Sequence, residues 1–319
     1  MPIRLYAPAP GQLDFQQVPS RKVQPHEIRL RTYYTGIRHG MDLRYLYDPS
    51  FPTNKRFPWT PSAWGVGELI EVGEKVSRYT IGDWVHGPMQ HEDEFILPES
   101  RVYPVNWLRR EFPLFVDPGV TALRSVREAR INYGDRVAIL GLGTVGLMAL
   151  QFVLHSGARE VIAIDAIESR TKVAQRLGAH TILTLPVQWN LLKAEIHEMI
   201  SGVDCILDFT GDERIWQFAP HTIPPECTLV IDGQKLHQAN LEKLRATVVG
   251  KGGELIAIYE DHSDTFLEQL VIESIAAKKV IVWPIHSHTC RFADAPQVYQ
   301  KITEAPEKHI KILLNYFDI

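Results

Sequence analysis

The sequence has 319 residues, of which 45% are hydrophobic and 23% charged, and these ordinary values exclude a disordered chain or a coiled coil. With 34 Lys and Arg against 38 Asp and Glu, the net charge of −4 argues against nucleic acid or a membrane surface as a partner. This length predicts about two domains.

Neither a membrane span nor a disulfide framework is indicated. No apolar run approaches the roughly 18 residues that cross a bilayer, and residues 1–15 lack the apolar core of a signal peptide. The three cysteines, Cys205, Cys227 and Cys290, are too far apart in the sequence for a zinc cluster. We therefore expect a cytoplasmic protein.

The first third of the chain has the pattern of a small β-barrel. Residues 1–112 lack helical periodicity and contain short alternating runs, such as residues 27–34 and 67–72, between Gly and Pro residues. The composition changes near residues 113–118, and residues 119–130 have the pattern of a helix that links two domains. We therefore place a domain boundary after residue 112.

A dinucleotide-binding motif follows this boundary. Residues 137–140 are wholly apolar, as expected for a strand that is buried on both faces of a parallel sheet. Gly141, Gly143 and Gly146 then form the pattern G-x-G-x-x-G, and Asp165 ends the next apolar strand, 165 − 141 = 24 positions after the first glycine. The alternative is a glycine turn in an α/β core that binds no ligand.

Each residue of the motif has a physical role toward a dinucleotide. Gly141 permits a tight turn, Gly143 lets the backbone approach a pyrophosphate, and Gly146 lets the helix pack closely on the strand. Asp165 can accept hydrogen bonds from the adenosine ribose hydroxyls, and its charge repels a 2′-phosphate. The motif therefore predicts NAD rather than NADP as the cofactor.

Two further pairs of residues are assigned to the cofactor. Thr144 and Val145 begin the helix after the glycines, where N–H groups and the positive end of the helix dipole face the phosphates. Thr210 and Gly211 follow another buried strand, and ligands of parallel sheets bind beyond the carboxyl ends of the strands. We expect Thr210 and Gly211 near the nicotinamide.

The remaining pattern of the second domain is that of a doubly wound sheet. Helices are predicted over residues 169–177 and 189–200, and strands over residues 180–185 and 203–209. Residues 228–233 and 253–259 both have strand character, and the sequence does not decide which of them continues the sheet. The less regular pattern between residues 220 and 240 is also compatible with an inserted element.

Several motifs resemble those of the medium-chain dehydrogenase/reductase superfamily nearly from end to end. Residues 82–85 match its G-D-x-V, residues 134–137 match the approach to its first Rossmann strand, and the run from Arg170 to Ala179 matches R-x-x-x-A-x-x-L-G-A. The resemblance assigns Arg170 to the cofactor and implies a homodimer.

The same resemblance implies a domain organisation. An N-terminal GroES-like β-barrel domain would comprise residues 1–112, with residues 284–319 returning to it. Residues 113–283 would form the Rossmann domain, an α/β fold with a doubly wound parallel sheet.

The zinc ligands of the superfamily are replaced in this sequence. Zinc-dependent members carry a cysteine in a G-I-C segment and a His-Glu pair, where this sequence has Arg38, Ala63 and Trp64. Asp117 stands where the third ligand lies, so at most one of the three ligands of a catalytic zinc remains. Residues 34–42 instead resemble the G-I-S-x-G-T-E pattern of the zinc-less branch that includes the bacteriochlorophyllide dehydrogenase type. We predict a protein without a metal.

Three residues are candidates for catalysis without zinc. The Arg38 guanidinium is suited to stabilise negative charge on a substrate oxygen, and its pairing with Asp117 in the vacated site is the alternative. His39 either contacts the cofactor pyrophosphate, accepts a proton near neutral pH, or lies on the surface. Asp42 either orients a substrate hydroxyl or His39, or caps the helix that follows.

Two histidine pairs are weaker candidates. His86 and His91 flank a predicted loop, residues 87–89, that we expect to face the active site. His286 and His288 form an H-x-H pair, for which the sequence offers no third ligand at motif spacing. Structural roles are the alternative for both pairs.

These features predict an NAD-dependent, zinc-independent oxidoreductase with a small-molecule substrate. The polar residues within 38–47 favour oxidation of a secondary alcohol of a polyol, sugar or cyclitol, or reduction of the corresponding ketone. A quinone or enoyl reductase of the same fold is one alternative. A dinucleotide-binding protein without turnover is the other.

Overall fold

The computed structural model describes residues 1–48, 57–185, 198–212, 216, 222–233, 236–259 and 264–317. The chain forms two compact units, which are described separately. The first comprises Met1–Phe115 and His286–Ile319, and the second comprises Val116–Ile285. These divisions lie after residues 115 and 285, whereas the sequence pattern placed them after residues 112 and 283.

The second unit contains a parallel sheet of six described strands in the order β10-β9-β8-β11-β12-β13. Their central residues are apolar because both faces of such a sheet are covered. The strands are β8 (Arg136–Leu140), β9 (Glu160–Asp165), β10 (Thr181–Thr184), β11 (Cys205–Asp208), β12 (Thr228–Asp232) and β13 (Glu254–Ile258).

Five described helices belong to this unit. They are α2 (Val116–Glu128), α3 (Thr144–His155), α4 (Glu168–Arg176), α5 (Gln238–Gly250) and α6 (Thr265–Ala276). Most of the helix predicted over residues 189–200 lies outside the described residues, as do parts of the region between residues 220 and 240.

Both segments with strand character near the end of the second unit are strands of its parallel sheet. Strand β12 pairs with β11, and β13 pairs in turn with β12, both in parallel register. Both segments with strand character therefore extend the sheet, one after the other. Helix α5 lies between them in the sequence and forms part of the crossover that two neighbouring parallel strands need.

The first unit contains a mixed sheet of strands from both ends of the chain. Strands β1 and β2 form a separate antiparallel pair, and β15 pairs with β3, which returns the last part of the chain to this unit. The strands are β1 (Ile3–Tyr6), β2 (Asp14–Gln17), β3 (Glu27–Gly36), β4 (Ser62–Val72), β5 (Trp84–Gln90), β6 (Glu94–Pro98), β7 (Tyr103–Pro104), β14 (His286–Arg291) and β15 (Lys311–Asn315). The helices are α1 (His39–Tyr47) and α7 (Ala295–Glu304).

The loop predicted over residues 87–89 was wrong, because these residues lie within β5. They pair with Gly65, Trp64 and Ala63 of β4. Strand β7 pairs only with Val85 and His86, so Pro88 lies where the described part of the sheet has one neighbouring strand, a position that tolerates proline.

No described helix is both long and apolar enough to cross a bilayer.

Candidate functional site

The glycine motif of the second unit forms the turn from β8 into α3. Gly141 has a φ of +86°, a left-handed conformation that favours glycine. A Cβ on Gly146 would lie 1.9 Å from the carbonyl oxygen of Gly141, so the start of α3 packs directly on the turn. Around Gly143, by contrast, a Cβ would meet nothing within 4 Å. The motif thus combines a tight turn, a close helix contact and open space above its middle glycine.

Asp165 holds its carboxylate against this turn. It is 8% exposed, and it accepts hydrogen bonds from the backbone N–H groups of Leu142 at 2.6 Å and of Ile167 at 2.8 Å. A guanidinium nitrogen of Arg170 lies 3.9 Å from the same carboxylate. Burial lowers the pKa of Arg170, and the charge of Asp165 opposes this shift. An anchored carboxylate is therefore presented beside the glycine turn.

A second turn, after β11, lies against the first. A Cβ on Gly141 would come within 2.8 Å of the backbone nitrogen of Thr210, which shows that these two cofactor candidates are brought together. The buried Asp208 accepts hydrogen bonds from the backbone N–H of Thr210 at 2.8 Å and from the indole of Trp216 at 2.7 Å. Gly211 follows with a φ of +61°.

Asp208 was not among the predicted site residues, although an acid at the end of a buried strand was visible in the sequence. Its two carboxylate oxygens fix the turn that carries Thr210 and Gly211, and the Thr210 hydroxyl also donates to it at 2.6 Å. Asp208 therefore orients this turn.

In the first unit, the segment from Gly36 to Asp42 comprises the last residue of β3, the connecting residues 37–38 and the first four residues of α1. The guanidinium of Arg38 donates to the hydroxyl of Ser62 at 3.1 Å, and His39 is the first residue of α1. Lys311, which is buried in β15, donates from Nζ to the carbonyl oxygen of Ile37 at 3.2 Å. The sequence pattern did not single out Lys311, because it contacts the residue before Arg38 in the fold but follows Arg38 by more than 270 positions in the chain.

Asp42 is more deeply buried than a side chain that contacts a substrate hydroxyl would need to be. Its side chain is 1% exposed and accepts hydrogen bonds from the Tyr299 hydroxyl at 2.9 Å and from the backbone N–H of Arg38 at 3.2 Å. The predicted cap of a following helix was wrong, because α1 begins at His39 and Asp42 lies in its first turn. From there Asp42 accepts from the backbone N–H of the residue that precedes the helix. The contact with Tyr299 of α7 was not foreseen.

The residues at the family's zinc-ligand positions do not form a donor set for zinc. Arg38 supplies a cation, Ala63 a methyl group and Trp64 an indole, whereas zinc takes thiolate, imidazole or carboxylate ligands. Asp117 belongs to the other unit, and its pairing with Arg38 stays a prediction. Within the part of the chain that the structure describes, no group of three or more His, Cys, Asp or Glu side chains is arranged to hold a metal.

The candidate histidines make contacts within the first unit. The ring of His86 stacks on Trp64 with centroids 5.0 Å apart, and its Nδ1 lies 3.1 Å from the carbonyl oxygen of Gly65. Because a carbonyl only accepts, Nδ1 of His86 carries the proton. His286 uses Nε2 toward the carbonyl oxygen of His288 at 3.1 Å.

The burial of His86 and His91 makes stability depend on pH. Burial lowers the pKa of each to about 3 in the folded chain, from 6.5, and the charge of Lys311 adds to both shifts. Below pH 6.5 the unfolded chain therefore binds protons that the folded chain does not, so the free energy of unfolding decreases as the pH is lowered. At pH 5 each histidine is expected to lower it by about 2 kcal/mol relative to pH 7.

Urea unfolding between pH 7 and pH 5 measures this effect. His86→Gln should flatten the pH dependence, whereas the same change at His26, a side chain that is 69% exposed, should leave it as it is. An equal pH dependence in wild type and His86→Gln would show that His86 does not titrate in this way.

Comparison with known proteins places the chain in a family. The family model for zinc-binding dehydrogenases matches residues 144–259. D-guloside 3-dehydrogenase of Escherichia coli (strain K12) is 32% identical over 236 residues, which cover 65% of this chain and 67% of that protein. (R,R)-butanediol dehydrogenase of Bacillus subtilis (strain 168) is 28% identical over 285 residues, which cover 74% of this chain and 80% of that protein.

The fold is shared as well. The X-ray crystal structure of 2R,3R-butanediol dehydrogenase from Bacillus subtilis matches with a TM-score of 0.77 at 21% identity, over 99% of both chains. This similarity confirms the predicted α/β class with a Rossmann unit and a separate sheet unit. The chain therefore belongs to the medium-chain zinc-binding dehydrogenase family.

Proposed function

We propose that this protein is an NAD-dependent dehydrogenase that oxidises a secondary alcohol of a polyol, sugar or cyclitol, or reduces the corresponding ketone, without zinc. The observation that carries the proposal is the carboxylate of Asp165, anchored on the backbone of the glycine turn. The names of the two curated relatives, a butanediol and a guloside dehydrogenase, support a substrate with several hydroxyl groups.

The residues of the second unit suit NAD. The N-terminus of α3 begins beside the open space at Gly143, and helix N-termini favour phosphate groups through their backbone N–H groups and the positive end of the helix dipole. The carboxylate of Asp165 suits the two ribose hydroxyls and opposes a 2′-phosphate. NAD supplies the hydride acceptor when it is bound.

The residues of the first unit would handle the substrate oxygen. The Arg38 guanidinium is the proposed donor of hydrogen bonds to this oxygen, where it would stabilise the negative charge that develops during hydride loss. His39 is the proposed acceptor of the hydroxyl proton, since imidazole exchanges protons near neutral pH. Asp42 is buried, accepts a hydrogen bond from the backbone N–H of Arg38 and is proposed as a supporting residue.

A turnover screen with metal-stripped protein tests this function. NAD would be offered with polyols, sugars, cyclitols and simple alcohols, and NADH formation would be followed by absorbance. Turnover with one polyol class supports the proposal. Turnover that appears only after zinc is restored would contradict zinc independence, and silence from protein that binds NADH would favour the two alternatives.

Asp165→Ser is expected to change cofactor preference. Loss of a charged acceptor for two ribose hydroxyls should weaken NAD binding by about 10-fold to 100-fold. Loss of the negative charge should also reduce discrimination against NADP. Titration of the two cofactors by fluorescence measures both effects.

Glu168→Ser is the matched control for this substitution. It removes a negative charge three positions later, from a side chain that is paired with Lys172 rather than with the glycine turn. If Asp165→Ser binds NAD and NADP in the wild-type ratio, the cofactor does not lie where we place it.

We also infer a homodimer in the cytoplasm, as the family resemblance implies. Strand β13 ends the order of the described parallel sheet, so its outer edge is available for pairing with a second copy. Sedimentation velocity tests this, and a monomer at micromolar concentration would contradict it.

A further inference from the structure

A line of buried hydrogen bonds crosses the first unit. The Tyr316 hydroxyl lies 3.0 Å from that of Thr35, and the Thr35 hydroxyl lies 2.6 Å from Nδ1 of His91. Nε2 of His91 lies 3.2 Å from the Tyr299 hydroxyl, which donates to Asp42 at 2.9 Å. All five side chains are buried, so water does not compete for these bonds.

The chemistry of the groups fixes the direction of every bond in this line. An ionised carboxylate only accepts, so Tyr299 gives its single proton to Asp42 and must accept from Nε2–H of His91. A neutral imidazole has one N–H, so Nδ1 of His91 accepts from Thr35, whose oxygen accepts in turn from Tyr316. Each proton therefore points toward Asp42.

The protonation states agree with this direction. Burial lowers the pKa of His91 to about 3, which keeps the ring neutral at pH 7. Burial and the neighbouring Asp42 raise the pKa of Tyr299 well above its usual value, which keeps its hydroxyl protonated. Neutral His91 as the Nε2–H tautomer is thus the state that satisfies every group of the line.

The line connects the two ends of the segment from Gly36 to Asp42, which contains the candidate catalytic residues. Thr35 lies immediately before this segment and is bound to His91, whereas Asp42 lies at its end and is bound to Tyr299. His91 and Tyr299 are in turn bound to each other. Arg38 lies between these two anchors, and its backbone N–H donates to Asp42 as well. The segment is therefore held at both ends by one buried pair.

We propose that Tyr299 is a positioning residue, which acts through Asp42 and His91 to hold the backbone of Arg38 and His39 in place for the substrate. Its effect on turnover rests on the function proposed above. The hydrogen-bond direction that it sets does not depend on that function.

The direction is tested first, on the full wild-type chain. NMR of protein with ¹⁵N-labelled histidine at pH 7 should show His91 as a neutral ring that carries its proton on Nε2. A proton on Nδ1, or a charged ring, would overturn the proposal whether or not the protein is a dehydrogenase.

Tyr299→Phe tests the positioning role, because it removes one oxygen and keeps the buried ring. We expect kcat to fall by about 10-fold to 100-fold, as for a small displacement of reacting groups, with the KM for NAD within twofold of wild type. The backbone amide signals of Arg38 and His39 should shift, and the proton on His91 should no longer be confined to Nε2.

Tyr79→Phe is the matched control in the same unit. The Tyr79 hydroxyl is also buried and donates to the carbonyl oxygen of Val102 at 2.7 Å, away from the line. It should lower the melting temperature to a similar extent while leaving kcat, the His91 tautomer and the amide signals of Arg38 as in wild type. Equal effects of the two variants on these three readouts would overturn the positioning role.

Two remaining outcomes separate this proposal from the proposed function. If no substrate is turned over by wild type, the amide shifts and the His91 tautomer still decide whether Tyr299 positions the segment. If Tyr299→Phe does not fold, Thr35→Val removes the donor to Nδ1 of His91 and leaves Tyr299 in place. His91 should then keep its proton on Nε2, and a proton on Nδ1 in that variant would overturn the proposal.

Discussion

Replacement of Gly146 by alanine is expected to destabilise the Rossmann unit by about 3 kcal/mol, the upper end of the usual cost of overpacking. The new Cβ would lie 1.9 Å from the carbonyl oxygen of Gly141, which is backbone and cannot rotate away. Either α3 or the turn must move. For a unit of this size the melting temperature should fall by roughly 6 to 12 °C, which calorimetry would measure.

Gly143→Ala is the matched control, because a Cβ there meets nothing within 4 Å. As Gly143 is the N-cap of α3, alanine should cost about 1 kcal/mol or less. The same methyl group would occupy the space that a pyrophosphate needs, so NADH binding should weaken although the fold persists. Wild-type affinity in Gly143→Ala would place the pyrophosphate elsewhere, and a wild-type melting temperature in Gly146→Ala would contradict the close contact.

Arg38→Ala is expected to lower kcat by about 100-fold to 1,000-fold, the usual cost of removing a donor that stabilises a developing oxyanion. The KM for NAD should change little, because the cofactor candidates lie in the other unit. Arg38→Lys should recover part of the loss, since it restores the charge but not the two-pronged geometry of a guanidinium. Steady-state kinetics with the alcohol identified in the screen would measure these effects.

Two controls separate catalysis from structure at Arg38. Asp117→Ala should leave kcat within twofold of wild type if Arg38 acts on the substrate rather than as the partner of Asp117. Arg44→Ala removes the same charge from the last turn of α1, the helix that Arg38 precedes, and should also have little effect. If Arg38→Ala and Asp117→Ala lower kcat equally, the structural pair is the better explanation.

The Rossmann unit could be predicted in detail because its signals are local. A strand buried on both faces needs an unbroken apolar run, and a glycine turn needs its glycines at fixed positions, so β8, α3 and β9 are visible within thirty residues. The order of the last two strands could not be predicted, because both runs are equally apolar and only pairing between strands distinguishes them.

The first unit was harder to predict because its determinants are distant in the sequence. Gly87 and Pro88 favour a turn locally, and the pairing of β5 with β4 overrides this preference. The hydrogen bond between Asp42 and Tyr299 joins residues that are 257 positions apart, and no spacing rule reports such a contact. Lys311 was missed for the same reason, although a lysine within an apolar strand is an unusual signal.

The antiparallel pairing of β15 with β3 has a consequence for synthesis on the ribosome. Residues 34–36 of β3 pair with residues 313–315 of β15. The first unit therefore cannot complete its sheet until nearly 280 further residues have been synthesised. The second unit is continuous in the chain and can fold during this interval. Until then residues 34–36 of β3 lack their β15 partner, although β4 and β6 can already pair with this strand. This short stretch leaves the nascent chain dependent on protection against intermolecular strand pairing.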